Sequence, residues 1–139
     1  MPYKQEPDKQ PALVLNLGPP ISGDGDSPEA MKFVVIDHDG RLIMVHGPLK
    51  EYPYHASLIH EYCESYEVAA AWLKKPDLIE IYEPDVEIRG GGWLEFDRTA
   101  RRLSVYGFST AYGKYVPSDV QHILQSSDSF TGYRITLKS

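Results

Sequence analysis

Residues 90–113 read GGGWLEFDRTARRLSVYGFSTAYG, and this stretch decides the fold. Two runs of alternating apolar and polar side chains, residues 93–96 and 103–106, flank the polar connector 97–102, the pattern of a β-hairpin. The glycines in front, Gly90, Gly91 and Gly92, imply either a close backbone approach or a sharp turn. Behind the hairpin, residues 107–113 place small residues between aromatics, with a glycine at each end. Successive unhindered N–H groups in such a loop can point into one concavity and hold an oxyanion, with the Ser109 and Thr110 hydroxyls as further donors. The same composition also describes an ordinary connector whose glycines supply positive φ and whose tyrosines pack on the sheet.

Working outward, residues 78–88, interrupted by Pro84, read as a strand and a bend leading into the glycines. Arg89 and Arg98 lie near enough in sequence to reach an anion at the loop, or are solvated surface charges. On the far side, Ser118 followed by Gln121 resembles a capping box and starts a helix through Gln125 with Val120, Ile123 and Leu124 inward. Residues 133–137 alternate as a closing strand. Upstream, two short β-branched runs, residues 33–36 and 42–45, are joined by Asp39-Gly40, a strong hairpin dipeptide. Between them and the glycines, residues 54–75 repeat with helical period: His55, Ile59, Tyr62, Tyr66, Ala69 and Leu73 form one face, widened by Leu58, Cys63, Ala70 and Trp72. Pro53 suits the entry to this helix, and Lys74, Lys75 and Pro76 suit its end.

The order β, β, α, β, β, β, α, β predicts an α/β fold in the α+β sense: a single mixed, largely antiparallel sheet of about six strands with two helices on its faces. Residues 1–29 are rich in Pro, Gly, Asp and Ser, and only residues 13–17 look strand-like. They are expected to form a mobile or loosely docked arm with at most one edge strand, followed by one domain over residues 30–139.

With 14 basic and 20 acidic side chains among 139 residues the net charge is −6, which argues against nucleic acid as a partner. Any bound anion must be held locally. The single cysteine, Cys63, falls inside the helical pattern and reads as a small core residue. One unpaired thiol, no apolar run of membrane-spanning length and no signal-type N-terminus together predict a soluble, cytoplasmic chain with no membrane partner, expected to be a monomer. Asp37, His38 and Asp39 sit where a turn is expected, with no partner ligands at a known spacing, so no metal is expected.

His55 heads the buried stripe in the first turn of its helix, where the dipole disfavours an imidazolium. A neutral imidazole beside an anion site is what a general base requires, and a core histidine bonded to a backbone carbonyl is the other reading. His60, nearly opposite on the helix, cannot share a metal with it.

Four segments resemble the janus/ocnus family, whose best-known members are the small phosphohistidine phosphatases: MKFVVI at residues 31–36, YHASLIHEY at 54–62, GGG at 90–92 and VYGFSTAYG at 105–113. The resemblance covers residues 31–113 in order and, more weakly, the C-terminal helix and strand. It implies a phosphohistidine phosphatase-like fold and metal-independent, cofactor-free hydrolysis of the P–N bond of phosphohistidine in proteins. It further implies that His55 is the general base, that Lys32 binds phosphate, and that Ser109, Thr110 and Ala111 form the phosphate loop beside Gly90 and Gly92. The chain departs from the family pattern at two positions. Trp93 follows the three glycines where arginine is common, and His46 stands at another basic position; Arg89 is the candidate to supply the first of these charges. A phosphate- or phosphoprotein-binding module without turnover is the alternative function.

Overall fold

A computed structural model of the chain describes residues 11–19 and 29–138. The elements run β1 (Leu13–Asn16), β2 (Glu29–His38), β3 (Arg41–His46), α1 (His55–Ser65), β4 (Ala70–Lys74), β5 (Leu78–Ile81), β6 (Val86–Asp97), β7 (Arg102–Tyr106), α2 (Pro117–Ser126) and β8 (Arg134–Leu137). Six strands form one mixed sheet in the order β1-β3-β2-β6-β7-β8, while β4 and β5 make a separate hairpin. The two outer pairs, β1 with β3 and β7 with β8, are parallel, and the pairs between them are antiparallel. This is the mixed α+β arrangement that the sequence predicts. The strand-like residues 13–17 supply β1 at one edge; the rest of the expected arm, residues 1–10 and 20–28, lies outside the described residues.

Side-chain alternation divides β2 between two cores. Met31, Phe33 and Val35 pack with Leu94, Phe96, Leu103 and Val105 under Val120, Ile123 and Leu124 of α2. Val34 and Ile36 pack on the other face with Ala56, Leu58, Ile59 and Tyr62 of α1. Asp39 and Gly40, both at positive φ (55° and 88°), close the β2–β3 hairpin as expected of this dipeptide. Asp37 caps that turn from its Oδ1 to the Gly40 N–H (2.8 Å), and His38 is bonded to Tyr62 (2.6 Å).

The helix predicted over residues 54–75 stops at Ser65. The Tyr66 N–H bonds to the Tyr62 carbonyl, Glu67 turns left-handed (φ 57°), and the Val68 N–H reaches back to the Cys63 carbonyl at 2.9 Å. This is a Schellman-type stop carried by a glutamate where a glycine would have announced it. The alanines that follow form β4 because pairing of Ala70 with Ile81 and Trp72 with Ile79 outweighs their helical propensity. The second helix begins at Pro117 with Val116 as its cap and no side-chain capping bond, so the capping box expected at Ser118 does not form.

The three glycines do not turn the chain. They lie within β6, where its pairing with β2 shifts register between Val34 and Ile36 beside Gly90 at φ 96°, and their lack of side chains permits close approach: a Cβ on Gly91 would lie 2.6 Å from the Phe33 carbonyl oxygen, and one on Gly92 would lie 2.7 Å from that of Tyr106. Where β7 ends at Tyr106, the chain leaves the sheet as residues 107–113 and rejoins it when Lys114 bridges Gly91. The Gly91 N–H bonds to the Gly113 carbonyl and the Tyr115 N–H to the Gly91 carbonyl, both at 3.1 Å. The small-residue loop is thereby anchored at both ends over the α1 face.

Candidate functional site

Between the start of α1, the β4–β5 turn, the α1 face of the sheet and residues 107–111 lies a cavity of about 660 Å³. Its floor is a lateral row: Lys32 on β2 is paired in register with Trp93 on β6, which is paired with Tyr106 on β7. Tyr54 and His55 close one side, Asp77 comes from the β4–β5 turn, and Phe108 to Ala111 form the lip. Of the sequence-predicted site residues, Lys32, His55, Ser109, Thr110 and Ala111 are thus brought to one cavity.

His55 is the first residue of α1 and is buried; its Nε2 lies 3.0 Å from the Gly92 carbonyl oxygen. In the neutral ring that nitrogen carries the proton and donates, which leaves the Nδ1 lone pair as the basic position. Burial is the main cause that lowers the His55 pKa, the Gly92 carbonyl opposes it, and the nearby Lys32 charge lowers it further. The middle glycine makes this placement possible, because a Cβ on Gly91 would lie 2.9 Å from His55 Cδ2. Gly91 is therefore a site residue that the sequence reading passed over in favour of its neighbours. Gly92 contributes its carbonyl, whereas Gly90, at φ 96°, makes room for the Lys114 backbone and does not line the cavity.

The Lys32 ammonium donates to the Pro53 carbonyl at 2.6 Å and sits 5.5 Å from the ring centroids of both Tyr54 and Trp93. These cation–π contacts orient the charge while leaving it free of any carboxylate among the described residues. In the loop, the Ser109 N–H is bonded to the Gly113 carbonyl (3.1 Å), and Ser109 Oγ accepts the Tyr112 N–H (3.1 Å). Ser109 thus organises the loop and keeps only its hydroxyl proton to offer. Among the described residues, the N–H groups of Thr110 and Ala111, like those of Gly107 and Phe108, have no acceptor, so the loop keeps backbone donors for an anion.

Two candidates lie elsewhere. Arg89 faces Asp119 of α2, with Nε 2.7 Å from its Oδ2, and does not supply a charge to the cavity. Arg98 pairs with Glu29 at 3.2 Å and lies over the Phe96 ring. His46, on β3, points into the α2-side core, with Nδ1 3.0 Å from Met31 Sδ and its ring near Phe130. Burial lowers its pKa to about 4, so it contributes no charge to the site. Cys63 is buried, with its thiol pushed up to about 11, and is not an activated nucleophile. Tyr54, Tyr106 and Asp77 were not singled out from the sequence; Asp77 arrives only because the predicted helix gives way to the β4–β5 hairpin.

The fold and cavity together define an α+β domain that sets a neutral histidine, an oriented lysine and a small-residue loop around one open pocket. The family described as Janus/Ocnus (Ocnus) matches residues 30–134, and the chain belongs to it. Comparison with curated proteins finds no match. Among the described residues no helix is long and apolar enough to cross a membrane.

Proposed function

We propose that this protein is a metal-independent phosphatase that hydrolyses the P–N bond of phosphohistidine, or a related N-phosphorylated group, in proteins. The observation that carries the reading is the placement of His55: its Nε2–H is held by the Gly92 carbonyl in the same cavity that collects Lys32 and the free N–H groups of Thr110 and Ala111. The phosphoryl group would sit between Lys32 and the loop. His55, through Nδ1, takes a proton from the attacking water, the new P–O bond forms as the P–N bond breaks, the leaving imidazole nitrogen takes a proton from solvent, and His55 returns its own to solvent. Charge gathering on the equatorial oxygens is met by the ammonium, the two N–H groups and the Ser109 hydroxyl. The chemistry calls for no cofactor and no covalent intermediate.

Release of phosphate from a phosphohistidine peptide, in chelator, tests the reading for the wild type beside His55→Asn. Turnover by the wild type is expected to fall at least about a hundredfold in the variant, the usual contribution of a general base. Because burial and Lys32 lower the His55 pKa, activity should persist below the ordinary histidine value of about 6.5 and fall as pH drops through the lowered one. Phosphate binding without hydrolysis would favour the second reading, a phosphate- or phosphoprotein-binding module. That reading draws support from the two positions where the family pattern has a basic residue: Trp93 lines the cavity as an uncharged ring, and His46 is buried in the opposite core.

A further inference from the structure

The face of the sheet that holds the cavity continues past it. Among the described residues α1 packs on β2 and β3, and the outer strands β7 and β8 carry a polar row on the same side. The alternation that sends Leu103 and Val105 into the α2-side core puts Arg102, Ser104 and Tyr106 on this side. Parallel pairing in register then sets Arg134 beside Arg102 and Thr136 beside Ser104. The row runs from Tyr106 at the cavity, past the Ser104 and Thr136 hydroxyls, to two exposed arginines.

Adjacent strands lie about 4.8 Å apart, so these arginines are like charges on neighbouring backbones, an arrangement that costs stability. Among the described residues neither Arg102 nor Arg134 meets a carboxylate within ion-pair distance. The carboxylates on this side are engaged: Asp97 accepts the Ala100 N–H at 3.0 Å, and Glu95 accepts the Tyr106 hydroxyl. Arg101 adds a third charge at this end of the sheet, where its carbonyl accepts the Arg134 N–H at 2.8 Å. A chain of net charge −6 thus keeps a local concentration of positive charge uncompensated.

We propose that Arg102 and Arg134 are a docking site for an acidic segment of the protein whose phosphoryl group enters the cavity. The proposal rests on the anion-site reading above and adds a feature of the partner: a glutamate or aspartate about four residues from the phosphorylated side chain. Tyr106 to Arg102 is four residues, about 13 Å along a strand, and an extended segment laid on the row covers that length with as many residues. Two neighbouring guanidiniums suit a carboxylate, which each can grip through paired N–H donors.

Phosphohistidine peptides tested on the full chain, with glutamate or alanine four residues before or after the histidine, check the spacing; a control carries the glutamate ten residues away. Glutamate at four residues is expected to lower KM about fivefold on one side, the gain of two exposed ion pairs, and the distant one to do nothing. The preference should vanish in the double variant Arg102→Gln, Arg134→Gln, both exposed positions, and shrink at high salt. Equal KM for the glutamate and alanine peptides, an equal gain from the distant glutamate, or a preference that survives the double variant would overturn the docking site while hydrolysis left the phosphatase reading standing. If no peptide is hydrolysed, fluorescence anisotropy reads the same comparison as affinity: a preference lost in the double variant keeps the docking site without the phosphatase, and no preference removes both. Dimerisation of the wild type but not of the double variant in sedimentation would assign the arginines to a second copy and overturn the proposal.

Discussion

The two faces of the six-stranded sheet each bury a histidine, and the two have opposite surroundings. On the α2 face, His46 is fully buried beside Met31 and Phe130, and its Nε2 has no partner among the described residues. On the α1 face, His55 keeps 8% of its surface, lines an open cavity and gives its Nε2 proton to the Gly92 carbonyl. Burial lowers both pKa values, so a depressed pKa by itself does not mark the functional one. What separates them is access: a neutral imidazole sealed in a core has nothing bound beside it to deprotonate, whereas one at a cavity wall can accept a proton from something bound there.

The largest way to sharpen this contrast is acid titration of stability. The His46 pKa falls from 6.5 in the unfolded chain to about 4 in the fold. The folded state therefore takes up the proton less readily, so this group's contribution is complete above pH 6.5 and is lost as pH falls towards 4. The loss amounts to about 3 kcal/mol. Replacing His46 with Leu should remove that acid slope and also dispose of the unpartnered Nε2, so urea midpoints between pH 7 and pH 4 should fall less in His46→Leu than in the wild type. Equal slopes would show that His46 is not the titrating group.

Next in size is Gly91→Ala, whose new methyl would collide with the Phe33 carbonyl and with the His55 ring. We expect about 1–3 kcal/mol of destabilisation in urea unfolding, together with displaced His55 ring resonances and undisturbed His46 resonances. Disturbance of His46 alone would break the link drawn between the glycine and the site. The smallest effect is electrostatic. Lys32→Met removes a positive charge that lowers the His55 pKa, so the His55 titration followed by NMR should move upward while that of His46 stays in place.

Much of this architecture was legible from short-range pattern. The Trp93–Tyr106 and Phe96–Leu103 pairs fall in the register that the alternating runs on either side of residues 97–102 predict. Asp39-Gly40 makes the turn its chemistry dictates. The end of α1 was not legible, because Glu67 adopts the left-handed conformation for which glycine is the usual signal, and Ala69, Ala70 and Ala71 carry the helical signal onward into a strand. Arg89 was misplaced for a related reason: proximity in sequence to the glycines says nothing about Asp119, thirty residues further along, which takes its guanidinium.

The sequence by itself determined the β2–β3 and β6–β7 hairpins, the inward stripe of α2, the first three turns of α1 and the family motifs, since period and turn chemistry act over a few residues; it did not determine β4, which it carried on as helix. Tertiary structure alone decided that Gly91 makes room for His55 and that Ser109 uses its N–H within the loop. It also decided that His46 faces the core and that Trp93 and Tyr54 hold Lys32. Each of these depends on which partner a group meets across the sheet, and strand pairing brings those partners together from distant parts of the chain.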